Sequence, residues 1–359
     1  MTTVEQTNAL DPDKLMSFVF RAVGEVGATL NTALVVMGDK LGLYRAMAGA
    51  GPLTPTELAE RTSTAERYVR EWLNAQAAGG FVDYDPASGR YTLPAEQAVA
   101  LTDETSPAYL PGFFQIALGS VLDSPRITEA ARTGAGIGWH DHVSDVHEGC
   151  ERFFRPGYHA HLVAEWLPAL EGVVAKLERG ASVADVGCGH GASTVLMAQS
   201  FPASRFTGFD YHVGSIDTAR QRATEAGVGD RAHFESSASK TYAGREYDLV
   251  TMFDCLHDMG DPVGAARHVR ESLAADGTWM IVEPAAGDRV EDNLNPLGRL
   301  FYGFSTLLCT PASLSQDVGL ALGGQAGEAR IRDVVSQAGL TGFRRASETL
   351  INVVYEARP

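Results

Sequence analysis

The sequence predicts an α/β fold, a sheet with helices on both faces, preceded by a smaller, mainly helical domain. Three observations carry this expectation. From Ala181 onward, strand and helix patterns alternate along the chain. The first strand pattern there, a β-branched run ending at Asp185, opens straight into a glycine-rich loop and then a helical pattern through Phe201. Residues 53–93, by contrast, read as helix, helix, hairpin. A chain of 359 residues fits two domains of ordinary size with an extra segment between them.

The chain begins MTTVEQTNALDPDK, and residues 1–14 read as a disordered leader, with acids where a signal peptide carries lysines. From Met16 to Met47, apolar residues recur at three- and four-residue spacing (Phe20, Val23, Leu30, Leu34, Met37, Leu41), as in amphipathic helices. The most apolar early stretch, Ala33 to Met37, is far too short to span a bilayer. No targeting or membrane segment is therefore expected. Four cysteines (Cys150, Cys188, Cys255, Cys309) without a Cys-x-x-Cys pair argue against a disulfide scaffold or zinc knuckle, and a reducing cytoplasm is the expected compartment.

Residues 15–100 form the predicted first domain. Within it, one helix starts after Thr54-Pro55 with Glu57 as capping partner. A second starts near Ser63 or Thr64 and ends at Gly79-Gly80. Two short β runs, Phe81 to Tyr84 and Arg90 to Leu93, then flank a turn. That order is a winged helix-turn-helix. Such a domain can read DNA or serve as a packing and dimerisation unit, and charge favours the second. Between Gly51 and Leu93, four arginines face six acids. The whole chain has 45 acidic against 29 basic residues, a formal charge of −16, where phosphate binding needs an excess of cations. Arginine outnumbers lysine 25 to 4, which reads as coding bias. A homodimer through this domain is expected, and nucleic acid is not.

Residues 101–175 read as a helical linker rich in aromatics and histidines, broken at Pro107, Pro111, Pro125 and Pro156. Its WHDHVSDVHEGCE stretch lacks a helical i, i+4 histidine pair, so its histidines are read as structural or substrate-contacting, and no metal is expected. Residues 176–359 form the predicted second domain. In its SVADVGCGHGAS loop, Gly187, Gly189 and Gly191 permit a tight strand-to-helix turn and close approach of a ligand to the backbone. A second strand, RFTGFD, ends at Asp210, 25 residues after Asp185, a spacing suited to a carboxylate on a ribose. The glycines run G-x-G-x-G, not G-x-G-x-x-G, and no G-x-x-x-x-G-K-[ST] loop occurs, which excludes a triphosphate P-loop.

VADVGCGHG followed by GFD resembles motif I and the next acidic strand of class I S-adenosylmethionine-dependent methyltransferases. REYDLVTMFDCLHDMGDP resembles their fourth strand, and DGTWMIVEP the turn and fifth strand. The winged helix ahead of them extends the resemblance to the small-molecule O-methyltransferases. The resemblance implies a Rossmann-like domain binding S-adenosylmethionine and releasing S-adenosylhomocysteine. It implies that Gly187, Cys188 and Gly189 lie against the methionine part, that Asp210 holds the ribose, that Tyr211 covers the adenine, and that Phe253 sits beside the cofactor. Asp185 either supports the loop or meets the amino group, and Ser237 stands where many relatives place an adenine-binding Asp.

His257 and Asp258 follow the fourth strand, where the resemblance implies a histidine base on an acceptor hydroxyl. His257 can equally position an already nucleophilic acceptor, Asp258 can belong to a helix start, and Glu283 can orient His257 or be buried support. Candidate acceptor walls are Phe113, Phe114, Trp139, Tyr158 and Phe301, with residues 293–315 as a lid containing an apolar helix, Leu300 to Leu308, ended by Thr310-Pro311. The expected reaction is methyl transfer to a small, mainly apolar or aromatic hydroxyl compound. The alternatives are N- or C-methyl transfer, or a winged-helix transcriptional regulator that senses S-adenosylmethionine.

Overall fold

The computed structural model describes residues 10–359, and the chain divides into two compact units between Asp103 and Glu104. Residues 1–9 of the expected leader lie outside the described residues. Its last residues are not a leader: a helix, Pro12–Lys40, begins inside it. Asp11 accepts hydrogen bonds from the backbone N–H of Asp13 and Lys14 at 3.0 and 3.2 Å, and Pro12 pre-sets the first turn.

Only the end of that helix is packed. Val35, Val36, Gly38 and Asp39 are buried, and Gly38 lies so close to the Trp72 ring that a Cβ there would stand 2.5 Å from it. The Trp72 indole N–H donates to the Leu34 carbonyl, and Gln76 links the Tyr44 hydroxyl to Asn31. The remaining helix leaves Phe18, Val23, Val26 and Leu30 more than half exposed. Scattered along 29 residues, these side chains make the helix long and apolar enough to cross a membrane by length and composition, which the short Ala33–Met37 run did not suggest.

The helices Pro55–Thr62 and Glu66–Ala78 and the hairpin β1 (Asp83–Asp85) and β2 (Arg90–Thr92) follow in the expected order. Thr54 and Glu57 form the capping box. The second helix is instead preceded by Ala65 with no side-chain cap, because Ser63 closes the previous helix at φ 53° and the Thr64 hydroxyl bonds to that of Thr62. Thr54→Ala is expected to cost about 1 kcal/mol in chemical denaturation. The Thr54 N–H and the Arg90 guanidinium hold the Glu57 carboxyl down to about 2. Its contribution is therefore complete above the ordinary glutamate value and is lost as pH falls through about 2.

The second unit is built on a seven-stranded sheet of order β5-β4-β3-β6-β7-β9-β8. Its strands are β3 (Ser182–Val186), β4 (Arg205–Asp210), β5 (Ala232–Ser236), β6 (Tyr247–Phe253), β7 (Leu273–Pro284), β8 (Arg344–Glu348) and β9 (Asn352–Ala357). The first five are parallel, and β9 and β8 add antiparallel edges. Alternation along the strands feeds two cores. Val183, Phe206, Leu249 and Met280 bury on one side, and Ala184, Phe209, Val250 and Trp279 on the other. The chain order reverses between β3 and β6, so a crevice opens beyond the carboxyl ends of these strands.

The helices after Glu104 belong to this same unit. Pro111–Leu122 packs on Ser144–Gly157 through glycines: a Cβ on Gly149 would stand 2.8 Å from the Gly112 carbonyl. The expected lid helix does not stop at Thr310-Pro311. Pro296–Phe304 continues through a π turn, Ser305–Cys309, into Thr310–Leu314. Pro311 is tolerated because it falls in the first turn of the renewed helix, where its missing N–H is least needed.

Candidate active site

One cavity of about 530 Å³ lies beyond the carboxyl ends of β3, β4 and β6, within the second unit. Gly187, Cys188 and Gly189 form its floor after β3. Gly187 and Gly191 have φ of +78° and +76°, and their missing Cβ atoms would collide with Cys255 Sγ and the Phe234 ring. Glycine is needed at both for two reasons, the backbone angle and the closeness of the neighbouring strand.

Asp210 ends β4 at the cavity edge. One of its oxygens accepts the Gly189 N–H at 3.0 Å and the other the His212 N–H at 2.9 Å. A carboxylate offers about four acceptor positions, so two remain for a ligand. Burial pushes its pKa up, opposed by those two N–H groups. Tyr211, Ser237 and Phe253 also line the cavity, and the Ser237 N–H donates to the Asp210 carbonyl. These positions fit the nucleoside end of the expected cofactor.

Asp185 does not. It is fully enclosed and accepts the hydroxyls of Ser193, Thr194 and Thr251 at 2.7, 2.6 and 2.9 Å. Of its two expected roles, the geometry leaves loop support, because no face of the carboxylate reaches the cavity. Phe114 lies a third of a helical turn from Phe113 and does not border the cavity. Phe113, Trp139, Tyr158 and Phe301 do. Several wall residues were not singled out from the sequence. Phe153 stacks on Phe113 at 4.3 Å, Phe304 lies 5.4 Å from it, and Leu308, Cys309 and Asn352 complete the apolar end.

His257 and Asp258 sit on a single 3-10 turn after β6 and face the same cavity. His257 Nδ1 lies 2.5 Å from Glu283 Oε2, and Glu283 Oε1 accepts the Leu256 N–H at 3.1 Å. Glu283 is buried behind the imidazole and does not reach the cavity itself, so it acts through His257. Burial opposes a charge on His257, but the carboxylates of Asp258 and Glu283 outweigh it and hold its pKa well above the ordinary value. Beside this pair, Asp254 adopts φ 49°, accepts from the Asn352 side chain at 2.7 Å, and leaves its second oxygen buried without a donor. Burial, reinforced by Glu283, pushes its carboxyl well up.

The WHDHVSDVHEGCE histidines turn to separate tasks, each with a partner of its own. His142 pairs with Asp123, His147 bonds to the Trp139 carbonyl, and His140 reaches Tyr211.

Residues 29–103 match the family model of the Rv2258c-like winged HTH domain, and residues 184–279 match that of a methyltransferase domain. The chain joins a winged helix-turn-helix domain to a methyltransferase domain. It is 30% identical over 143 residues to 27-O-demethylrifamycin SV methyltransferase of Amycolatopsis mediterranei, covering 39% of this chain and 44% of that protein. It is also 30% identical over 125 residues to a ubiquinone biosynthesis O-methyltransferase of Nitrosospira multiformis, covering 34% and 47%. With a Synechococcus protein at 27% coverage, the chain spans between about a quarter and a half of these curated relatives. Across nearly the whole chain, the fold is that of human N-acetylserotonin methyltransferase, solved with S-adenosylmethionine (TM-score 0.70, 17% identity, 98% and 99% coverage). An O-methyltransferase family protein from Burkholderia thailandensis shares it equally (TM-score 0.70, 19% identity, 95% and 98% coverage). The methyltransferase domain thus holds both the glycine loop and the His257 turn.

Proposed function

We propose that this protein is an S-adenosylmethionine-dependent O-methyltransferase acting on a small, mainly apolar or aromatic hydroxyl compound. One observation carries the reading: a single cavity holds the Gly187–Asp210 nucleoside edge and His257, backed by Glu283, beside an aromatic wall. When bound, S-adenosylmethionine supplies an electrophilic methyl group. Asp210 would hold the ribose hydroxyls, with Tyr211 and Phe253 beside the bound cofactor. Phe113, Phe153, Phe304 and Leu308 exclude water and orient the acceptor, and much of the acceleration of such a reaction comes from positioning.

The neutral form of His257 takes the hydroxyl proton at Nε2 as the oxygen attacks, and Asp258 and Glu283, which raise its affinity for a proton, stabilise the resulting imidazolium while Glu283 fixes the ring through Nδ1. No arginine lines the cavity, and its one lysine, Lys240, pairs with Asp261, which speaks for an uncharged rather than a phosphorylated acceptor. The test is transfer of a labelled methyl group across a library of phenols, aliphatic alcohols and amines. Label on hydroxyls supports the reading, whereas label confined to amines or carbon acids overturns the O-methyl assignment.

The protein acts as a homodimer joined through the Pro12–Lys40 helix in this reading. Met16, Val19, Val23, Val26, Leu30, Ala33 and Met37 repeat at alternating three- and four-residue steps, the seam of a paired helix, and the first six are exposed. Val19→Asp with Val26→Asp is expected to halve the mass measured by light scattering, and an unchanged mass removes this helix as the interface.

A further inference from the structure

The proposed chemistry uses the His257 imidazole but not the whole of the cluster around it. His257, Asp258 and Cys309 each bring one donor atom to a common point, all within 4.8 Å of one another. His257 and Asp258 come from the turn after β6, and Cys309 ends the π turn Ser305–Cys309 on the opposite wall. His257 Nε2 stands 3.1 Å from Asp258 Oδ1, and that oxygen is shut from solvent. The missing Cβ of Gly324 would lie 3.4 Å from Cys309 Sγ and 3.9 Å from His257 Nε2, so both atoms border one small space.

The second layer is also in place. Glu283 engages Nδ1, which fixes the ring and leaves Nε2 facing the other two donors, the carboxylate–histidine arrangement that supports metal ligands. Two carboxylates, Asp258 and Glu283, flank this one imidazole, at 3.1 Å from Nε2 and 2.5 Å from Nδ1, an excess of acid that a divalent cation at Nε2 relieves. Imidazole nitrogen, thiolate sulfur and carboxylate oxygen together select a borderline-soft cation over calcium or magnesium.

We propose that His257, Asp258 and Cys309 form a binding site for a thiophilic divalent cation, zinc above all, with a fourth position open to the cavity. Binding forms one bond each from zinc to nitrogen, oxygen and sulfur. The Cys309 thiol proton, and any proton on His257 Nε2, leave to buffer, and nothing is oxidised or reduced. Zinc then holds the lone pair that takes the acceptor proton, so the cation inhibits methyl transfer. That consequence rests on the O-methyltransferase reading, whereas the site itself does not.

The experiment uses the chelator-treated full chain titrated with cobalt(II). The expected result is one cobalt per chain, a near-ultraviolet sulfur-to-cobalt charge-transfer band, and displacement by one equivalent of zinc. Cys309→Ser removes the band, and Glu283→Gln weakens zinc binding by about 10–100-fold. Calorimetry with S-adenosylhomocysteine reports whether each variant is folded. No sulfur band in the wild type, or a band that persists in Cys309→Ser, overturns the site. A Cys309-dependent band with turnover insensitive to zinc upholds the site and removes His257 as the base.

Discussion

His257→Ala is expected to lower kcat by about 10²–10⁴ while leaving the affinity for S-adenosylhomocysteine unchanged. The size follows from what the side chain does in the proposed reaction. A hydroxyl attacks a methyl group poorly while it keeps its proton, and Nε2 of His257 is the acceptor that faces the cavity. A thousandfold loss corresponds to about 4 kcal/mol of barrier, ordinary for a positioned general base. Glu283→Gln retains a hydrogen-bonding group behind the ring but removes the charge that stabilises imidazolium, so it is expected to lose less than His257→Ala. Steady-state turnover at saturating S-adenosylmethionine reads both variants. An unchanged kcat in His257→Ala removes the base and leaves the residue as a positioning group on an acceptor that is already nucleophilic.

Asp210→Ala should produce the opposite pattern, a loss of roughly 100-fold or more in S-adenosylhomocysteine affinity by calorimetry, with folding retained. Two hydrogen bonds to one buried carboxylate, each worth about 1.5–3 kcal/mol, set that scale. The variant also deprives the Gly189 and His212 N–H groups of their acceptor, so the loop beneath the ligand loosens as well. Affinity within threefold of wild type would place the nucleoside elsewhere in the cavity. Together, the two substitutions separate the halves of one cavity: His257→Ala acts on turnover and Asp210→Ala on binding.

Much of this site was legible in the primary structure because it depends on local constraints. A strand that turns at once into a helix around a ligand needs residues able to adopt positive φ, and Gly187 and Gly191 announce that in sequence. Asp210 ends one strand and His257 follows the carboxyl end of another within four residues, so finding the strand finds the residue. Asp185 carried the same kind of signal but left two roles open, for a physical reason. An acid before a glycine loop looks alike whether it faces a ligand or three hydroxyls, and only the folded positions of Ser193, Thr194 and Thr251 distinguish the two. Phe113 and Phe114 look alike in sequence for a similar reason, since one residue of helical rotation separates a wall from its outer face.

The alternating strand and helix patterns, the glycine loop, the acid after the second strand and the capped helix-helix-hairpin order were determined by sequence alone, because each is a rule of backbone geometry acting over a few residues. The gathering of His257, Glu283 and Cys309 was decided only by tertiary structure. They come from the end of β6, from β7 and from a π turn far along the chain, and no spacing rule relates them. The parallel pairing of β6 with β7 brings Glu283 behind the imidazole, and the π turn Ser305–Cys309 of the lid helix carries Cys309 to its front. Long-range pairing of this kind leaves no periodic trace, so the chemistry at His257 became readable only once the sheet and lid were in place.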